Sequence, residues 1–236
     1  MSLSSTFKKA CENEYGDCNT ANGECLPKPV QDEYVATIKV SNGNCTFGRN
    51  SIYNDKKARP KDTIKEIENE EREVICIVLE SPHKDEYNSS GEPLGPALSS
   101  TGKNISDYFV DILNDALKNG VVSITDGDYS LLLIEAVSYQ CSNAQSLNIT
   151  ANKNKRDKVF AEVWENGGKE DFLERIRSAN PILIVNSCTG RMKNVDNEKS
   201  LKGKINEALI SAGYDEITVS SPHPSSSWFW RKGIKK

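Results

Sequence analysis

The chain has 236 residues, 36% of them hydrophobic and 27% charged, with a formal net charge of −4. That length can bury a sizeable core, enough for one large domain or one domain with an appendage, and the charge neither favours nor opposes a nucleic-acid partner. No apolar run approaches the ~20 residues a bilayer-spanning helix needs, and the amino terminus lacks a signal-peptide core, so the expectation is a cytoplasmic protein with no membrane partner.

Residues 1–70 are polar and marked by turn signals such as Asn22-Gly23 and Asn42-Gly43, and read as a small N-terminal β-rich extension. Strand patterns within it are confined to Tyr34-Val35-Ala36-Thr37-Ile38-Lys39-Val40 and Cys45-Thr46-Phe47-Gly48, which predicts a hairpin-like element. Cys11, Cys18 and Cys25 recur every seven residues and Cys45 follows. Four thiolates make a weak candidate metal site, because no pair has the short Cys-x-x-Cys spacing with which one turn grips a metal. Residues 62–72 read as a charged helix with Ile64 and Ile67 on its apolar side.

From Glu73 onward strands alternate with helices, the pattern of βαβ units. Val74-Ile75-Cys76-Ile77-Val78-Leu79 is the first strand, and a loop rich in Pro, Gly and Ser then leads into a helix. That helix carries Ile105, Tyr108, Phe109, Ile112, Leu113, Ala116 and Leu117 at helical spacing. Leu131-Leu132-Leu133-Ile134-Glu135-Ala136-Val137 is the second strand, and its one carboxylate must be paired, protonated or functional. Helices over 155–164 and 169–179, a strand over 181–186, a helix over 201–212 and a strand over 216–220 complete the series. The expected fold is α/β, a three-layer α/β/α sandwich with a four-stranded parallel sheet over residues 71–236.

Both histidines of the chain occur as Ser-Pro-His, at Ser81-Pro82-His83 and Ser221-Pro222-His223, each directly after a strand. Proline ends a central strand, and ligands of open parallel sheets bind beyond the carboxyl ends of the strands. Imidazole titrates near neutrality and suits acid/base work, so the pair marks a candidate active site. Ahead of the first long helix, Ser99-Ser100-Thr101-Gly102 offers hydroxyls and free N–H groups to an anion.

Strand, then Leu79-Glu80-Ser81-Pro82-His83, then a Gly/Ser loop into a helix, and finally strand, then Ser221-Pro222-His223-Pro224-Ser225-Ser226-Ser227, resembles a divergent member of the uracil-DNA glycosylase superfamily. In that family the first motif takes forms such as Gly-Glu-Ala-Pro-Gly, and the last is His-Pro-Ser-Pro or a relative. The resemblance spans Glu73 to about Arg231 and implies hydrolysis of the N-glycosidic bond of a flipped damaged or deaminated base, in DNA repair by base excision. It implies His223 as donor to the leaving base, with Glu80, Ser81 and His83 as further catalytic groups, and Glu135, Leu98 and Tyr87 around the base. Ser225, Ser226, Ser100, Thr101 and Gly102 would hold backbone phosphates, and Trp228, Phe229 and Arg231 would wedge into or contact DNA. The expected partner is single- or double-stranded DNA, and no cofactor is implied.

Ser81 stands where many members carry a water-activating Asp or Asn, and a hydroxyl is a poor base unaided; Glu80 is the available substitute. Glu135 stands where the family commonly reads uracil with Asn. An ionised carboxylate accepts but cannot donate, so it would prefer a base presenting N–H donors. Two alternatives stay open: a catalytically altered nucleic-acid or nucleotide-binding protein on the same fold, and a hydrolase built on His83, His223 and Glu80.

Overall fold

The computed structural model describes residues 2–16, 28–53, 57–68, 71–141, 153–189, 200–226 and 229–236. Strands β1 (Glu33–Ser41), β2 (Asn44–Asn50), β3 (Glu73–Leu79), β4 (Gly127–Glu135), β5 (Pro181–Asn186) and β6 (Thr218–Ser220) form one six-stranded sheet in the order β2-β1-β4-β3-β5-β6. Strands β4, β3, β5 and β6 pair in parallel, whereas β1 is antiparallel to both β2 and β4. The fold is thus α/β, but the sheet is six-stranded and mixed rather than four-stranded and parallel. The physical reason lies in β1, whose buried Val35, Ala36, Ile38 and Val40 complete a core that β4 alone would leave open. Asn42 and Gly43 close the β1–β2 hairpin with φ of 52° and 69°, the paired positive angles that suit a two-residue turn.

Side chains alternate across the strands and divide the core in two. Val74, Cys76, Val78, Leu132, Ile134 and Ile184 face helices α1 (Leu3–Tyr15), α4 (Lys153–Val163), α5 (Lys169–Ala179) and α6 (Leu201–Ser211). Ile75, Ile77, Leu79, Leu131, Leu133 and Val185 face α3 (Ser100–Lys118) and the short α7 (Phe229–Lys232). Helix α2 (Lys61–Glu68) lies against β1.

Helix α1 was unforeseen in a segment that reads as loop. Ser2 caps it by accepting from the Ser5 N–H, and Phe7, Ala10 and Cys11, spaced i, i+3, i+4, enter the core. Phe7 stacks on Tyr139 with ring centroids 4.8 Å apart. The four-cysteine metal site does not survive: Cys11 is buried on the α1 side of the sheet and Cys45 on the α3 side. Cys18 and Cys25 lie outside the described residues. Among the described residues no helix is long and apolar enough to cross a membrane.

The chain leaves β3 toward β4 on one side and leaves β5 toward β6 on the other. Adjacent parallel strands whose loops depart in opposite directions open a crevice at their carboxyl ends. Strand β4 ends at Glu135, two residues earlier than its apolar run predicts, because Ala136 and Val137 donate instead to the carbonyls of Leu79 and Glu80. Glu135 therefore comes out at this crevice rather than inside the sheet.

Candidate functional site

At the carboxyl ends of β3, β4, β5 and β6 lies a cleft of about 760 Å³. Its walls bring together Glu80, Ser81, His83, Glu135, His223, Ser225, Ser226, Ser100 and Thr101, residues drawn from segments far apart in sequence. The two Ser-Pro-His motifs meet there because both follow parallel strands of one sheet.

His223 is held by its own loop. The Ser225 N–H donates to Nδ1 at 3.2 Å, and the Ser225 hydroxyl lies 2.8 Å from the same nitrogen. A ring nitrogen that accepts an N–H carries no proton of its own, which fixes the tautomer with hydrogen on Nε2. Burial, followed by the nearby charges of Lys202, Arg156 and His83, lowers the imidazole to about 4. At neutral pH His223 is thus an uncharged hydrogen-bond donor. Asn104 of α3 donates to the Pro224 carbonyl at 2.6 Å and ties this loop to the opposite wall. Ser225 is consequently a positioning residue for His223, with its hydroxyl already engaged.

Glu80 is buried and bound. Its Oε1 lies 3.1 Å from Arg156 Nη1, and its Oε2 accepts the Thr189 N–H at 3.3 Å. Arg156 also donates from Nε to Asp157 at 2.7 Å, so one guanidinium serves two carboxylates. The Ser81 hydroxyl pairs with the buried Cys141 thiol. His83 caps the helical turn Lys84–Glu86: its Nδ1 accepts the Asp85 N–H at 3.3 Å while its backbone N–H donates to Glu86 at 2.9 Å. Its imidazole is largely exposed and serves the loop's geometry.

Two more carboxyls lie deep in this wall. Glu86 accepts the His83 N–H on Oε2 and the Ala97 N–H, at 2.7 Å, on Oε1. Burial pushes it up to about 8 against those two hydrogen bonds and the pull of Arg59. Glu135 is 2% exposed, and burial holds it well above the usual carboxylate range, reinforced by Glu86, Glu80 and Asp32.

Several expected residues serve the framework instead. Leu98 and Tyr87 are buried and do not line the cleft, because the loop folds back through a bridge between Tyr87 and Pro93. Gly102 does not line it either; a Cβ there would collide with the Ala97 carbonyl, so glycine allows the loop to approach α3. Phe229, expected as a wedge into DNA, is fully buried and packs in the α3-side core. Arg231 is exposed on α7, and Trp228 lies outside the described residues. Lys202 donates to the Ser221 carbonyl and Lys204 pairs with Glu165.

The sequence reading missed Arg156, Glu86, Asp85 and Thr189, all of which line the cleft. Glu86 carried a signal, since a cap residue followed three positions later by Glu is the capping-box pattern, although histidine is an unusual cap. Arg156 sits in the charged run Lys155-Arg156-Asp157-Lys158 and carried none. Among the described residues no group of three or more His, Cys, Asp or Glu is arranged to hold a metal ion. Comparison with protein-family models, with curated proteins and with solved structures finds no match to this chain.

Proposed function

We propose that the chain is a DNA N-glycosylase that hydrolyses the N-glycosidic bond of a damaged or deaminated base flipped into the cleft. The observation that carries this reading is His223: a neutral imidazole with its proton fixed on Nε2, in a cleft lined by carboxyls and hydroxyls. As the bond breaks, its electron pair leaves with the base and positive charge grows on the sugar. A neutral donor hydrogen-bonds the anionic base without having to give up a proton, and fixed donors in a partly dry site are worth several kcal/mol in the transition state. The Glu80 carboxylate offers negative charge to the cationic sugar, and water completes the hydrolysis. Hydroxyls and N–H groups at the start of α3, from Ser99 to Thr101, suit a strand's phosphates.

The experiment is base release from single- and double-stranded oligonucleotides carrying uracil, hypoxanthine, xanthine or a mismatched thymine, read as strand scission after alkali. Wild type cuts at least one of these substrates, and His223→Ala, still folded, is slower by on the order of a hundredfold. Absence of scission on every substrate refutes the reaction.

One observation favours a second reading, a binding protein on the same fold. Both Glu80 oxygens are engaged, by Arg156 and by the Thr189 N–H, and Ser81 is no base. In that case oligonucleotide affinity falls with added salt and no base is released. Nothing comparable favours the histidine hydrolase, since His83 caps its own loop.

A further inference from the structure

Arg59 lies between β2 and α2, ahead of the parallel strands, and its side chain is fully buried. Its guanidinium donates to the Glu33 carboxylate at 2.6 Å and to three backbone carbonyls, those of Ser51 at 2.9 Å, Ile52 at 2.6 Å and Pro96 at 2.7 Å. Glu33, Ser51 and Ile52 belong to the β1–β2 region. Pro96 belongs to the loop that runs from β3 to α3 beside the cleft. Glu33 abuts the same loop, since a Cβ on Gly95 would stand 2.6 Å from its carboxylate.

One residue further along, the loop meets Glu86, whose Oε1 accepts the Ala97 N–H at 2.7 Å while Oε2 accepts the His83 N–H at 2.9 Å. The Pro96 carbonyl and the Ala97 N–H are the two ends of one peptide unit. A guanidinium therefore holds one end of that unit and a carboxyl the other. Turned over, it would set carbonyl against carboxyl and N–H against guanidinium, leaving buried groups unpaired. Ala97 has a φ of 55°, a left-handed conformation that a residue with a Cβ keeps only where its surroundings impose it. The Ala97 carbonyl oxygen then lies 1.8 Å from where a Cβ on Gly102 would stand, so the clamped peptide packs directly on the first turn of α3. Between these two contacts lie Ser99, Ser100 and Thr101, which line the cleft. We propose that Arg59 and Glu86 are positioning residues, which clamp the Pro96–Ala97 peptide at both ends and thereby set the hydroxyls of residues 99–101 in the cleft wall for a nucleic-acid strand. The clamp gives the β1–β2 region a part in the cleft. That the wall meets a strand's phosphates rests on the glycosylase reading; the clamp does not.

The test compares the full chain with Glu86→Gln and Arg59→Lys at about pH 9, above the value of about 8 to which burial pushes the Glu86 carboxyl. Glutamine turns one acceptor into a donor that faces an N–H, and lysine keeps the charge without the planar fork that reaches four acceptors. In each variant the Kd of a single-stranded oligonucleotide and the KM for base release rise by about tenfold while kcat stays within about twofold, the mark of lost binding common to ground and transition states. Amide hydrogens of residues 97–101 exchange about tenfold faster, and those of β3 and β4 keep their rates. Ala97→Gly added to Glu86→Gln recovers about threefold of the affinity, because glycine takes a positive φ without a clamp. Should Arg59→Lys not fold, Glu86→Gln decides alone. Wild-type affinity and exchange in the variants, a fall in kcat at unchanged KM, loosening spread evenly over the sheet, or no recovery with Ala97→Gly each overturns the clamp. Wild type that neither binds nor cuts oligonucleotides, with residues 97–101 loosened in the variants, removes the glycosylase reading and keeps the clamp. Base release by wild type, with KM and these amides unchanged in the variants, does the reverse.

Discussion

Arg156 of α4 holds the Glu80 carboxylate at 3.1 Å across the cleft's inner end, with both side chains largely shielded from water. The pair joins the segment after β3 to a helix some seventy-five residues later. It gives the cleft one of its few cations, and it decides how much freedom Glu80 retains.

Removing one partner of a shielded ion pair strands the other charge. Arg156→Met is expected to destabilise the fold by about 3 kcal/mol, read by chemical denaturation. An unchanged midpoint and slope would show that solvent compensates Glu80. The same variant tests the clamp: if Arg156 restrains a catalytic Glu80, the folded fraction has altered base release, and not merely less protein.

Low pH acts through His223. The unfolded imidazole takes up a proton near pH 6.5 and the folded one only near pH 4. Between these values the unfolded chain binds more protons, so stability is lost as pH falls from 6.5 to about 4 and levels off below. The loss is up to about 3 kcal/mol and should be missing from His223→Gln. Base release should show no inflection near pH 6.5 from this residue. An inflection there that disappears in His223→Gln would mean that the ring titrates normally.

Phe229 separates packing from DNA contact. Phe229→Ala should destabilise by about 3–4 kcal/mol, since it empties a fully buried site between α7 and α3. A wedge residue would leave thermal stability untouched and lower only activity on duplex substrates. A melting curve on the variant without DNA decides between them.

Gly102→Ala is expected to destabilise by about 2 kcal/mol, because the added methyl meets the Ala97 carbonyl and not a side chain able to swing away. Its effect should concentrate in the 94–102 loop and the first turn of α3. Amide exchange localised there would support this, and uniform loosening of the whole chain would count against it.

The elements from β3 onward were legible because their apolar residues repeat at strand or helix period over long runs. Residues 181–186, for instance, form β5 with the bounds read from the sequence. Helix α1 escaped notice because Phe7, Ala10 and Cys11 are its main core contacts in a stretch that also carries Lys8, Lys9, Glu12 and Glu14. The joining of β1 to β4 was equally invisible, since a hairpin pattern says nothing about which edge it will cover.

The sequence by itself determined the alternation of strands and helices, the placement of both Ser-Pro-His motifs after strands, and hence a cleft at the carboxyl ends of the sheet. These follow from local propensities and from proline's inability to continue a strand. Only the tertiary structure decided that Arg156 would meet Glu80, that Ser225 would set the tautomer of His223, and that Glu135 would face other carboxyls with an oxygen unpaired. Protonation state and pairing depend on burial and on neighbours brought from distant segments, and neither is written in the spacing of residues along the chain.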